Sequence, residues 1–496
     1  MLLVSPTGRA RRALSAPGAL ARPHPTLVLG VILATYLMIV LDASVVITAL
    51  PSIAERLHFS PAALSWVQSA YALTFGGLLL LGARMGDILG RRRTFVAGVA
   101  LLTVASFLGG LAQSQGWLLG ARALQGVGAA IAAPSTLALL TTSFPEGPER
   151  VRALAAYGAV AGGGGSVGLV LGGMLTDWIS WRWGLWINVP VGAVLVWLAP
   201  RVLEETERRP GRFDLPGAAA STAGMTALVL GFVHAAEAGW GDPLTVASFV
   251  SAAVLLTAFV AVERRAAQPV TPLRLFADRG RAGAYAARML IVGAMFSMFF
   301  FLSQYLQGVH GLSPLEAGIA FLPMTVVMFS TVRIVPWLTA RWGAARLLVT
   351  GVVVAVVGMA WLSRLGEATP FFPAIALPLV LLGLGMGAAL APLTGAGIAG
   401  VEPADAGAAS GIVNAAQQLG ASLGLSVLVT IAAGGAGSRA AVGPTLDGAA
   451  RAELARAAAN ALTGSAVLLA LGLAVVAIAV RRPRPAPATR ILEVAS

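Results

Sequence analysis

Leu27–Pro51 reads LVLGVILATYLMIVLDASVVITALP, an apolar run broken by a single charge, Asp42. About 20 apolar residues in a helix span the roughly 30 Å hydrocarbon layer of a bilayer, and this run is long enough to do so. It also exceeds the length of a secretory-signal core. A carboxylate at bilayer centre costs roughly 2.5–3.5 kcal/mol on insertion scales, so Asp42 is expected to face protein or a water-filled cavity. The position of that one acid sets the question for the rest of the chain.

The surrounding composition agrees with a lipid solvent. Of 496 residues, 57% are hydrophobic and 11% charged, where a soluble domain carries roughly 25% charged residues. Mean hydropathy is +0.83. Cysteine is absent, which excludes disulfides, thiolate metal sites and cysteine nucleophiles. Lysine is absent too, so the chain lacks a P-loop lysine and a Schiff-base amine. ATP hydrolysis within the polypeptide is not expected, and no cofactor or metal is called for. The net charge of +13 lies in short arginine clusters between apolar runs, a membrane-topology pattern rather than a nucleic-acid surface.

Fourteen apolar segments are predicted to span, near residues 27–50, 64–83, 94–113, 117–142, 152–176, 183–203, 215–236, 243–263, 283–309, 315–340, 345–365, 372–398, 405–433 and 460–480. With a cytoplasmic N-terminus, roughly 25 arginines fall inside and roughly 6 outside, the positive-inside bias. Both termini are then cytoplasmic. An internal repeat supports a duplicated bundle. GARMGDILGRRR (Gly82–Arg93) follows span 2, and LTARWGAARLL (Leu338–Leu348) follows span 10, eight spans later. Aligning Gly90 with Gly343 puts Ala340 opposite Asp87. The fold class predicted is all-α: a polytopic membrane protein of two six-helix bundles with two inserted helices. The divisions are a basic tail (1–26), a first bundle (27–203), an insert (204–282), a second bundle (283–481) and a tail (482–496). Parallel repeats of this kind place a binding site at their interface.

Several motifs, in order, carry a specific resemblance: LDASVVITALP in span 1, GARMGDILGRRR after span 2, RALQGVGAA (Arg122–Ala130), WRWGLWINVPVG (Trp181–Gly192), RFDLPGA (Arg212–Ala218), YLQGVHGLSPLEAGIAFLP (Tyr305–Pro323) and ASGIVNAAQQLG (Ala409–Gly420). From residue 27 to 480 the chain resembles the fourteen-span drug:proton antiporter branch of the major facilitator superfamily. Two positions depart from that pattern. Leu169 follows Gly168 where the family's span 5 motif pairs Gly with Pro, and Ile47 stands where Asn is usual.

Asp42 and Arg122 are the candidate proton-coupling residues. Counted from the outer ends of their spans they lie about 12 and 7.5 Å deep, a difference that an arginine side chain bridges. Their pair is either a proton switch, docking and hydrating in turn, or a permanent brace between spans 1 and 4; the resemblance favours the switch. Asp87, Arg91, Gly82 and Gly90 are assigned to gating. The glycines permit a tight turn and close approach, Asp87 pairs with Arg91 or caps a helix, and the resemblance implies that this loop braces the two bundles. In span 5, Gly168, Gly172 and Gly173 read as close helix packing, since no lysine follows to make a phosphate loop.

For the cargo, Gln304, Tyr305, Gln307, Arg333, Asn414, Gln417 and Gln418 are assigned to the cavity, with Met295, Met298, Met324, Met328 and neighbouring phenylalanines as an adaptable wall. Arg288 reads as snorkelling to the inner edge of its span, and His234 with Glu237 as an interfacial pair. The function expected is proton-coupled export of small amphiphilic drugs or antibiotics by alternating access, in a bacterial plasma membrane. The partners expected are the small-molecule amphiphile, protons and the lipid bilayer, without nucleic acid. A metabolite or nutrient symporter or uniporter of the same fold, and a non-transporting receptor or scaffold, are the alternatives. An enzyme is not expected, for want of a nucleophile–base pair or metal cluster.

Overall fold

A computed structural model describes residues 25–479, apart from 145–147, 207, 209–213, 267–268, 270, 403–404 and 434–447. The terminal tails, Arg481 and Arg482, and the loop arginines Arg209 and Arg212 therefore lie outside the described residues. The remainder is helical: α1 (Pro25–Leu57), α2 (Pro61–Leu64), α3 (Trp66–Leu89), α4 (Arg91–Gly110), α5 (Gln115–Ser143), α6 (Pro148–Trp178), α7 (Trp181–Trp186), α8 (Asn188–Val202), α9 (Leu215–Ala238), α10 (Pro243–Arg265), α11 (Arg279–Gly308), α12 (Pro314–Ala320), α13 (Leu322–Trp342), α14 (Ala344–Leu362), α15 (Ala376–Ile398), α16 (Ala406–Ala432) and α17 (Gly448–Ala479). Three short helices, α2, α7 and α12, continue into α3, α8 and α13. Among the described residues thirteen segments are long and apolar enough to cross a membrane. The 31-residue, glycine-rich α6 is not one of them and lies where the fifth of the fourteen expected spans falls.

The first bundle is built on contacts of α1 with α5, α6 and α8, and of α5 with α3 and α4; the second on α11 with α16 and α17 and on α15 with α13 and α14. They meet through α1 with α11, α3 with α16, and α6 with α12. The inserted helix α9 lies over one of these seams, packing on both α3 and α16, while α10 packs on α9. Thr430 on α16 donates to the carbonyl of Phe232 on α9 at 2.7 Å, and Ser60 donates to Glu237 at the α9 end. His234 bonds Asp242 at 3.0 Å, so His234 and Glu237 are not each other's partners. The interhelical loop brings Asp242 within reach of the imidazole, and Ser60 takes Glu237.

Helix starts follow from side-chain caps at Ser114, Ser180, Asp214, Asp242 and Asp278. Ser313 and Glu316 form a reciprocal capping box on α12. The repeat has a backbone counterpart. Gly90 precedes α4 at φ +101°, and Gly343 precedes α14 at φ +81°, a left-handed conformation that side chains resist by about 1–2 kcal/mol. Helices also run past the apolar windows. α17 begins at Gly448 rather than near 460, because Ala450–Asn460 is rich in alanine and arginine, both strong helix formers.

Candidate functional site

Asp42 sits near the middle of the 33-residue α1, inside the first bundle rather than on a wet surface. Its carboxylate is fully buried and pairs with Arg122 of α5 at 2.9 Å. The side-chain amides of Gln125 and Asn188 donate to its other oxygen at 2.7 and 2.6 Å. Gln125 is held by Ser106 on α4 (2.8 Å) and Arg122 (3.0 Å), and Asn188 begins α8. Arg122 Nε donates to the carbonyl of Val67 on α3 at 3.0 Å, and its guanidinium lies over the Tyr71 ring at 4.5 Å. Its Nη2 has no hydrogen-bond partner among the described residues. Five spanning segments thus converge on one acid. Two amide donors and a matched cation hold a carboxylate in a place that otherwise could not solvate it.

Beside this cluster lies a cavity of about 1240 Å³. It reaches the arginine-rich end, where Arg84, Asp87, Arg91 and Arg274 line it, and runs inward past Tyr36, Ser44 and Tyr157. Ala43 and Ser44 line it while Asp42 does not: Ser44, two residues or about 200° around α1 from Asp42, faces the cavity while Asp42 faces the polar core. Met295, Phe296, Phe299, Met324 and Met328 supply an apolar wall. At the other end the bundles are closed. Gln307 Nε2 donates to the Thr48 carbonyl at 3.1 Å, and Ser303 Oγ to that of Ile47 at 3.3 Å. A Cβ on Gly172 would lie 2.8 Å from Val45 Cα of α1, and one on Gly173 2.8 Å from Leu315 Cα of α12. Two adjacent glycines therefore let α6 fit between the bundles. Gly168 abuts Ser44 in the same way.

The sequence-assigned cargo residues divide. Asn414, Gln417 and Gln418 line the cavity. Gln304, Tyr305 and Gln307 do not; they are buried in the closed end, where Gln304 donates to Phe300 and Tyr305 to the Gly366 carbonyl at 2.7 Å. Met298 is fully buried away from the cavity. Arg333 is on the outer perimeter, exposed between exposed Val332 and Ile334. The buried face of α13 carries Met324, Thr331 and Val335, and position 333 falls on the opposite side of the helix. The reverse holds for Arg288. It is 9% exposed, donating to Thr394 at 2.8 Å and Gln417 at 2.5 Å, so it is enclosed by protein instead of snorkelling.

At the arginine-rich end Arg91 pairs with Asp87 at 3.1 Å. The α4 N-terminus is capped by a residue that motif reading passed over: Glu205 accepts from the backbone N–H groups of Arg92 and Arg93 at 3.0 and 3.3 Å. A Cβ on Gly90 would lie 2.6 Å from Glu205 Oε1. Gly82 packs against the backbone of Ala130 on α5. Gln125, Asn188 and Glu205 were visible in sequence. Gln125 is one turn beyond Arg122, and Asn188 is an amide inside an apolar motif.

A family model described as Major Facilitator Superfamily matches residues 32–425. The cephamycin export protein of Amycolatopsis lactamdurans is 43% identical over 81% of this chain and 83% of its own. A puromycin resistance protein of Streptomyces alboniger is 44% identical over 82% and 81%. Among solved structures, a bacterial homolog of the human lysosomal transporter Spinster, described as inward-facing and unoccupied, aligns with a TM-score of 0.66 at 18% identity, covering 95% of this chain and all of that one. That fold, the matched family and the paired helical bundles are those of a multi-pass membrane transporter and not of an enzyme. The chain belongs to the major facilitator superfamily.

Proposed function

We propose that the protein is a proton-coupled exporter of small amphiphilic antibiotics, working by alternating access, with its arginine-rich end in the cytoplasm of a bacterium. The observation that carries this reading is the sealed Asp42–Arg122 pair one residue from the cavity wall. The export and resistance roles printed for its relatives support the cargo class, and the arginine bias supports the orientation.

The physical logic is a charge balance. Paired and hydrogen-bonded, the ionised carboxylate is stable in the core. Protonating Asp42 removes its attraction for Arg122 and leaves a buried guanidinium uncompensated, which costs several kcal/mol. A conformation that opens the outer end and hydrates this region relieves that cost. Proton uptake thereby favours one access state and proton loss the other. Gly172, Gly173 and Gln307 form the outer closure that must part, while Asp87 and Arg91 with Gly82 and Gly90 form the latch at the cytoplasmic end. One proton moving down 100 mV releases about 2.3 kcal/mol, enough for roughly a 50-fold gradient of a neutral cargo. Drug-dependent proton release from energised everted vesicles tests the reading: it is expected with the native protein and lost in Asp42→Asn. Transport of drug with no associated proton movement would return the chain to the uniporter alternative.

A further inference from the structure

We infer that Arg288 is an anion-recognition residue, and that the exporter proposed above takes amphiphiles bearing a carboxylate or an equivalent acidic group. Arg288 lacks a counter-charge among the described residues. Arg288 lies nine residues into α11, about 13 Å from its arginine-rich end, and is 9% exposed. Its two assigned partners, Thr394 and Gln417, are neutral. Its Nε has no hydrogen-bond partner among the described residues, and no carboxylate there lies within ion-pair distance of it. A guanidinium carries five donors in a planar fork matched to carboxylate geometry. This one is left with neutral acceptors where Arg122 has an acid.

The site adjoins the cargo space. Gln417 and Tyr36 both line the cavity, and Tyr36 stacks on Tyr157 at 3.9 Å between ring centroids, giving a flat aromatic face beside the cation. The cavity's carboxylates, Asp87, Asp214 and Asp405, belong to the arginine-rich mouth, where Asp87 is held by Arg91 and Asp405 by Arg274. Asp42 is turned away. Arg288 stands behind Gln417, just beneath the cavity wall, so an incoming acid displaces the Gln417 amide to reach an unbalanced cation and leaves its apolar body against Met295, Phe299 and Met324. A cationic amphiphile meets repulsion at the same point.

The inference rests on the exporter reading, and one titration separates them. Fusidate and its methyl ester, alike in shape but differing in charge, are titrated against the purified full-length protein. The native chain is expected to bind the acid roughly tenfold or more tightly than the ester, the worth of a charge-assisted pair. Arg288→Gln is expected to erase that ratio while leaving ester affinity within about twofold, and Arg288→Lys to keep part of it. Equal affinity for acid and ester in the native protein overturns the inference without needing any variant to fold, as does binding of neither probe or an equal loss of both in Arg288→Gln. Cellular export of a neutral amphiphile is measured alongside, and its persistence leaves the exporter reading standing whatever the titration shows.

Discussion

Two buried arginines, one in each bundle, meet opposite fates. Arg122 lies against a carboxylate, an amide and an aromatic ring, and its charge is balanced within the first bundle. Arg288 lies against a hydroxyl and an amide with no acid beside it. The difference assigns different work to the halves. A charge balanced inside one bundle is suited to internal switching, because its partner can be neutralised by a proton. A charge balanced by nothing beside a cavity is suited to what enters the cavity. On the proposed cycle, the first bundle carries the ion and the second reads the cargo.

The sharpest way to break that contrast is to remove each arginine's partner in turn. Asp42→Ala orphans Arg122 and is expected to lower stability by about 3–5 kcal/mol, with much of it recovered when Arg122→Leu is added, as read by thermal unfolding in detergent. A single variant as stable as the native chain would mean that the pair is not the first bundle's charge balance. Gln417→Ala beside Arg288 removes one neutral acceptor and is expected to lose only about 1–2 kcal/mol in the same assay. The glycine pair of the repeated loop falls in the same range. Gly90→Ala and Gly343→Ala each force a side chain into a left-handed backbone at about 1–2 kcal/mol. Gly90→Ala is expected to be the worse, since Glu205 crowds only that position.

The closed end offers a test without an energy scale. Because the chain has no cysteine, Ser303→Cys is a background-free reporter of the outer closure. Adding Gly173→Val, which wedges α6 from α12, is expected to raise its labelling by a membrane-impermeant maleimide several-fold. Unchanged labelling would remove the glycine pair from the closure. The smallest effect expected is at the mouth. Arg274, hydrogen-bonded at 2.6–2.8 Å, holds the Asp405 carboxyl below its ordinary value. That contribution is fully present above about pH 3.9, the unfolded value, and is lost as pH falls through the lower folded one. Asp405→Asn should therefore lower the melting temperature slightly at neutral pH, with the difference from the native chain vanishing as pH falls through the folded value, so that the acid limb of the profile is flatter.

What the sequence made legible followed physical rules with a single strong term. Bilayer thickness picked out the spans, thirteen of which are long, apolar helices among the described residues. Insertion cost marked Asp42, and depth matching along two helices paired it with Arg122. The glycine of the repeated loop was recognisable because its backbone conformation admits few other residues. Facing was harder. Spans that are apolar all round have no polar stripe to orient them, so sequence alone assigns Arg333 to the cavity and Arg288 to the inner edge, although the first faces outward and the second is enclosed. Gln304 and Gln307 read in sequence as cavity amides, but Gln304 bonds a carbonyl of its own helix and Gln307 reaches one on α1 across the closed bundles. Glu205 caps α4 from a loop 113 residues away from Arg92, a pairing that periodicity along one helix does not encode.

The central claim is that protonation of Asp42 drives the cycle. Purified protein in liposomes, given a pH difference with the voltage clamped at zero, tests it by cargo flux. Flux that follows the sign of the pH difference in the native protein, and is indifferent to it in Asp42→Asn, is the result predicted. Flux that still follows the pH difference after Asp42 has been neutralised would contradict the account.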